Sequence, residues 1–276
     1  MFPLKTSRSR IPASRAWRWC FGTAALLLAI SAVAQTTSGQ KQPGSPPAAA
    51  AGDDSVKTVL NAYVDALGGR DALERLRSRH SEGIVEVGSR ERQRRKFQFY
   101  WATPNMARGE IKDGDIVLYE GYDGQKGWAE EFFGESKPLG EASIDNLLFY
   151  SNPLRYVEAL KIYSSVTLEK DAPDANGKTV LRARGEGVTD RLFFDKGTRL
   201  LDEVQKERDD SEAAPRRYRL DEYRRVDGIL FPFVIHEFIP VPNLDPNAIR
   251  IENVVRYKNV KHNLLLPPKL FDAPQG

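Results

Sequence analysis

The chain has 276 residues, with 41 lysines and arginines against 38 aspartates and glutamates, three histidines and one cysteine. Five of the basic residues (Lys5, Arg8, Arg10, Arg15 and Arg18) and Cys20 precede residue 35, so the rest of the chain is slightly acidic and free of cysteine. This balance gives no electrostatic reason for a nucleic-acid partner, and beyond residue 34 it excludes a disulfide framework, a thiol nucleophile and a cysteine-based metal site.

Residues 1–18 are basic without an acid, and the apolar run Trp19–Ala34 ends in Ala32-Val33-Ala34. That pattern predicts a secretory signal peptide over 1–34, cut after Ala34. The run is about 16 residues, short for a membrane span of roughly 20. Arg18-Trp19 before Cys20 makes a poor lipoprotein acylation site, and no Arg-Arg pair signals the twin-arginine route. Residues 35–52, rich in Gln, Ser, Thr, Pro, Gly and Ala, read as a disordered linker. One domain is expected over 53–276, long enough to be stabilised by its core alone.

Asp53-Asp54-Ser55 are helix-capping types. Val56, Val59, Leu60, Tyr63, Val64 and Leu67 follow as one apolar stripe that Gly68-Gly69 ends. Asp71 can cap a short second helix over Ala72–Arg77. From His80 the period changes to two. Gly83–Val87 and Arg92–Trp101 read as a hairpin, with Phe97, Phe99 and Trp101 on one face. Met106–Lys112 and Asp115–Tyr122 pair around Asp113-Gly114. Gly127–Phe133 follows across Asp123-Gly124, a dipeptide suited to a tight turn. Val117, Tyr119 and Trp128 flank that turn like cross-strand partners.

Helical spacing returns at Pro138–Lys161, where Ile144, Leu147, Leu148, Tyr156, Val157 and Leu160 recur. This predicts two short helices, Ile144–Tyr150 and Pro153–Leu160, the second restarted by Ser151-Asn152-Pro153. A second block of strands runs through Ile162–Lys170, Lys178–Gly185, Val188–Asp195, Arg199–Arg208, Arg216–Arg225, Leu230–Ile239 and Ala248–Lys258. About ten or eleven antiparallel strands indicate an α+β fold built on a barrel or strongly curved sheet.

Chemistry-bearing patterns are sparse. His236-Glu237 is no zinc signature, because a strand sends the two side chains to opposite faces. His80 and His262 stand without ligand spacing. There is no Gly-x-Ser-x-Gly elbow, and the paired acids Glu130-Glu131, Asp209-Asp210 and Asp221-Glu222 do not suggest convergent carboxylates. The expectation is a non-enzyme without cofactor, metal or catalytic residues. Arg90, Arg92, Arg94, Arg95 and Lys96 read as the wet face of an edge hairpin rather than as a docking patch for anionic lipid. The aromatic and aliphatic set is the strongest functional signal: Phe97, Phe99, Trp101, Trp128, Phe231 and Phe233 on strands, with Leu147, Leu148, Phe149, Tyr156 and Leu160 on the helix pair. From the residues alone, a dry filled core and a ligand cavity stand level.

Three short motifs carry a resemblance: Pro104-Asn105 after the long aromatic strand, Asp123-Gly124-Gln125-Lys126-Gly127-Trp128, and the ending Phe271-Asp272-Ala273-Pro274-Gln275-Gly276. With the order of elements, over about residues 54–276, the chain resembles the LolA/LolB-like superfamily of periplasmic lipoprotein carriers and their relatives. The resemblance implies an open antiparallel β-barrel with a helical lid and a hydrophobic interior for lipoprotein acyl chains or another lipid-like ligand. It also favours a cavity over a filled core. The arginine that the carriers hold before Pro-Asn for closing the lid is Thr103 here. The expectation is a periplasmic carrier, with an envelope regulatory or structural protein that binds a protein partner as the alternative.

Overall fold

The computed structural model describes residues 54–88, 92–130, 136–172, 175–208, 215–240, 250–267 and 269–274. The expected signal peptide and linker, Phe132, Phe133 and the start of the last predicted strand lie outside the described residues. Helix α1, Asp54–Leu67, buries Val56, Leu60, Tyr63, Val64 and Leu67, as the apolar stripe requires. Helix α2 is Arg70–Glu74, with Gly69 rather than Asp71 at its N-cap. It starts earlier than the predicted Ala72–Arg77 because the Leu73 amide already donates to the Gly69 carbonyl at 3.3 Å.

The first block of strands is β1 Ser78–Val87, β2 Gln93–Ala102, β3 Met106–Asp113, β4 Ile116–Tyr122, β5 Gly127–Glu130 and β6 Ser136–Pro138. Helices α3, Glu141–Ser151, and α4, Ala159–Ile162, come next. The second block is β7 Ser165–Glu169, β8 Thr179–Arg184, β9 Val188–Phe194, β10 Leu201–Arg208, β11 Arg216–Val226, β12 Ile229–Pro240 and β13 Arg250–His262. There are thirteen strands against the expected ten or eleven; the one with no counterpart among the predicted segments is β6, whose three residues are too few for a period-two signal.

All thirteen form one antiparallel sheet, ordered β6-β5-β4-β3-β2-β1-β13-β12-β11-β10-β9-β8-β7. Two meanders therefore meet where β1 pairs with β13, and β6 and β7 are the unpaired outer edges. The segment between those edges in sequence is α3–α4, so the helical crossover links the two open sides of the sheet. Helix α3 packs over β2, β3 and β4, and α1 packs on β12 and β7.

The second predicted helix is mostly turn. Asn152 Oδ1 accepts the Leu154 amide at 2.8 Å, closing a local turn that competes with a helix start. Only Ala159–Ile162 is helical, burying Ala159. At the tight turn, Asp123 Oδ1 accepts the amides of Gln125 and Lys126 at 2.7 Å each, and Gly124 takes φ 98°. The residue opposite Trp128 is Gly121, while Tyr119 faces Glu130. A Cβ at Gly121 would lie 2.5 Å from the Trp128 ring, so the glycine makes room for the indole.

Candidate functional site

Register assigns the predicted aromatics to the two faces of the sheet, because directly opposed residues share a face. Phe99 faces Gly109, which faces Glu120. A Cβ at Gly109 would meet Leu147, Phe99 and Glu120, so this is the face beneath α3. Phe97, Phe99 and Trp101 line it, as do Phe231 and Phe233 of β12, and all five are buried. Leu147, Leu148 and Phe149 of α3 and Tyr156 of the following turn are buried as well. Leu160 is only half-buried; the short α4 turns Ala159 inward instead.

Trp128 departs from the expectation. Its register runs through Gly121, Arg108 and Tyr100 to His80, which is the opposite face. There its Nε1 donates to the Phe271 carbonyl at 2.8 Å, and the Arg108 guanidinium stands 5.5 Å from its ring. It anchors the C-terminal segment and does not line the interior.

The rings form one connected cluster. Phe97 contacts Phe99 at 4.8 Å and Tyr257 at 5.3 Å between centroids, and Tyr257 contacts Phe231 at 5.0 Å. Phe99 stacks on Tyr150 at 5.8 Å, and Phe149 meets Tyr218 at 4.5 Å. Tyr150, Tyr218 and Tyr257 were not among the sequence candidates, although Tyr218 and Tyr257 lie on strands and Tyr150 on α3 beside Phe149.

Polar side chains fasten the crossover to the second meander. Asp190, fully buried on β9, accepts from the hydroxyls of Tyr156 at 3.1 Å and Tyr163 at 2.5 Å and from Lys206 Nζ at 3.2 Å. Lys206 also pairs with Asp145 of α3 at 2.7 Å, and Arg155 closes on the same carboxylate. Burial opposes ionisation of Asp145, yet Arg155 and Lys206 outweigh it and hold the carboxyl below the usual range. Further along, Tyr218 and Asn253 satisfy Glu237 at 3.2 and 3.0 Å.

The seam between the two meanders, β1 with β13, holds α3 differently. Arg79 of β1, 1% exposed, donates from Nη2 to the Tyr150 carbonyl at 2.6 Å. Tyr257 donates to the same oxygen at 3.0 Å. Both meet the C-terminal end of α3, where carbonyls lack helical partners and the dipole is negative.

Little space remains between these groups. A cavity of about 50 Å³ lies among Tyr63, Phe149, Asn152, Phe231, Tyr257 and His262, room for a few water-sized groups. A larger hollow of about 290 Å³ is lined by Arg94, Arg224, Arg256 and Lys258 with Phe233 and Tyr257.

Of the remaining sequence candidates, His80, His236 and Arg92 lie on the other face, whereas Arg95 and His262 share the face of Phe97 and Trp101. His80 stacks on Tyr100 at 4.6 Å, and His236 Nδ1 meets Glu252 at 2.8 Å. Arg92 bridges Glu86 and Glu252 at 3.3 and 2.7 Å, and Arg95 pairs with Asp113 at 2.9 Å. The basic run is thus largely neutralised by acids of neighbouring strands, but its hairpin is central, between β13 and β3, not at an edge. Arg90 lies outside the described residues. Among the described residues no cluster of three or more His, Asp or Glu could hold a metal, and no helix is long and apolar enough to cross a membrane.

No family model and no curated protein matches the chain. Solved structures do. A LolA superfamily protein from Nitrosomonas europaea superposes with a TM-score of 0.58 at 11% identity, covering 78% of this chain and 96% of that one. A DUF1329 family protein from Desulfovibrio piger gives 0.55 at 12%, covering 79% and 97%. A domain from Vibrio parahaemolyticus, described as an outer membrane lipoprotein-sorting protein, gives 0.56 at 11%, covering 78% and 97%. At such identities the likeness is one of fold, and the chain has the open antiparallel, α+β fold of the LolA superfamily.

Proposed function

We propose that the protein is an exported, periplasmic binding protein or carrier for a lipid-like ligand, held between α3 and the aromatic inner face of the sheet. The observation that carries this reading is the manner in which α3–α4 is attached. It bridges two unpaired sheet edges and is fastened to the sheet by side chains: Asp190, Lys206, Arg79 and Tyr257. Such a crossover can lift as a lid without breaking any strand pairing.

The 50 Å³ cavity is too small for an acyl chain, so the lid must rise, and the chain would then take the place of ring–ring contacts along Phe97, Phe99, Phe149 and Phe231. Each buried methylene contributes about 0.8 kcal/mol, which offsets the loss of lid contacts once several methylenes are covered. The description of one fold neighbour as an outer membrane lipoprotein-sorting protein makes an acylated protein one candidate cargo. The filled interior favours a second reading, an envelope protein that binds a protein partner and never opens.

Native mass spectrometry of the protein purified from its own cells without detergent separates the two. Carriage predicts a co-purified lipid or lipoprotein mass that is lost in a still-folded Leu148→Glu variant. A clean protein mass, together with no uptake of a fluorescent fatty acid, would favour the protein-partner reading.

A further inference from the structure

Every other deeply buried cation among the described residues meets a carboxylate. Arg95 pairs with Asp113 at 2.9 Å, Arg191 with Glu169 at 2.8 Å and Lys206 with Asp145 at 2.7 Å, and Arg155 also pairs with Asp145. Arg79 is 1% exposed and has no acidic partner; its Nε and Nη1 make no hydrogen bond. Its guanidinium carbon sits 4.2 Å from the centre of the Phe231 ring, which lines the 50 Å³ cavity. Burial lowers its pKa only to about 10, so it stays cationic at neutral pH.

Arg79 is also not isolated. His262 stands directly opposite it on β13, and Trp101 directly opposite on β2. Cross-strand neighbours of this kind have Cβ atoms about 4.5–5.5 Å apart on one face. The Trp101 Nε1 and both ring nitrogens of His262 lack hydrogen-bond partners, as does Ser81 Oγ two residues along β1. Asp227 Oδ2 lies 3.2 Å from His262 Nδ1 but off the direction of a hydrogen bond. His262 itself lines the cavity. Burial, reinforced by Arg79 and opposed by Asp227, holds its pKa below the ordinary histidine value. The result is a row across three strands in which Arg79 Nε and Nη1 and Trp101 Nε1 have no acceptor and the guanidinium charge has no carboxylate partner.

We propose that the row His262–Arg79–Trp101 seats the anionic head of an amphiphile, a carboxylate or a phosphate monoester. The hydrocarbon chain would lie along Phe231, Tyr257, Phe97 and Phe99. The proposal rests on the ligand-binding reading above and adds to it the chemistry of the head. An oxyanion accepts from several donors at once, and an arginine fork matches carboxylate and phosphate alike. The same anion would loosen the lid, since it competes with the Tyr150 carbonyl for Arg79.

The test is calorimetric titration with decanoate, decyl phosphate and decanol, which share one chain length and differ in the head. Wild-type protein should bind at least one of the two anions about 10- to 100-fold tighter than the alcohol, the span expected for charge-assisted hydrogen bonds; the tighter one identifies the head. Arg79→Leu should erase the preference, whereas Arg79→Lys should keep most of it. Arg79→Leu should still fold, because the Tyr257 hydroxyl continues to serve the Tyr150 carbonyl, and its Tm should rise as an uncompensated buried charge is removed. Trp101→Phe, which removes one donor and little volume, should weaken the anion several-fold. Equal binding of all three ligands, or a preference that survives Arg79→Leu, overturns the head-group proposal while lipid binding stands. Binding of none overturns both.

Discussion

Glu120 shows how a single side chain sets a pH dependence for this fold. It faces inward from β4 beside Phe99 and Leu147, with Oε1 unpartnered. Burial pushes its carboxyl from 4.5 up to about 8. The folded state therefore keeps the proton over a range where the unfolded chain has lost it. This group's contribution to stability is whole below about pH 4.5 and is lost as the pH climbs toward 8. The loss is on the order of 3 kcal/mol by pH 7. Glu120→Gln, uncharged throughout, should flatten that part of the curve. Urea unfolding of both proteins at pH 5 and pH 8 measures it, and parallel declines would show that Glu120 is not the source. Gly121, next to it, is fixed by a different constraint. The Trp128 ring occupies the space of its missing side chain, so Gly121→Ala should destabilise by about 1–3 kcal/mol as the indole is displaced, which thermal unfolding would register.

At the scale of elements, the crossover α3–α4 is held by a buried polar network through Asp145, Arg155, Tyr156 and Tyr163 and, between them, by two hydrogen bonds to the Tyr150 carbonyl. Lys206 is the network's hinge, joining Asp145 of α3 to Asp190 of β9. Lys206→Met leaves two buried carboxylates with weaker compensation and should cost about 3–5 kcal/mol. If α3 is the lid, the loss should be local. Amide exchange in Glu141–Ser151 should accelerate, and ligand affinity should increase, because the open form is no longer rare. Weaker binding with uniformly faster exchange would mean that α3 is plain core. The same elements show what the sequence could tell. Period-two runs revealed the two meanders, and the interruption at Pro138–Lys161 revealed the crossover, because both depend on which side chains avoid water. Three features of the site were hidden for local reasons. The register of β1 against β13 slips by one residue at Lys258, which carries His262 to the inner face against simple alternation. Arg79 precedes the apolar alternation of β1 and reads as a surface charge until pairing turns it inward. Trp128 follows the alternation of a strand whose outer side is covered by the chain's own C-terminal segment, which no periodicity encodes.

For the whole molecule, the sheet is stable without closing. The edge β6 is three exposed residues ending in Pro138, a blunt edge that resists pairing with another chain. The other outer strand, β7, is reached only through the crossover. Strand pairing therefore holds the two meanders together at one seam, β1 with β13, and the crossover spans the opposite side. On the proposed function, such a protein would have two compact forms that differ by lid contacts, and a ligand would act on the balance by binding only one of them. An amphiphile present at about 100 times its Kd stabilises the bound form by about 2.7 kcal/mol. For a domain of this size that corresponds to a rise in Tm of roughly 5–10 °C. The rise should be larger for Lys206→Met than for the wild type, because the unliganded variant starts lower and the bound state has already given up those lid contacts. Scanning calorimetry with and without decanoate measures both shifts. A wild-type Tm that no charged or neutral amphiphile moves would mean that the interior never opens, and the aromatic face would then be core.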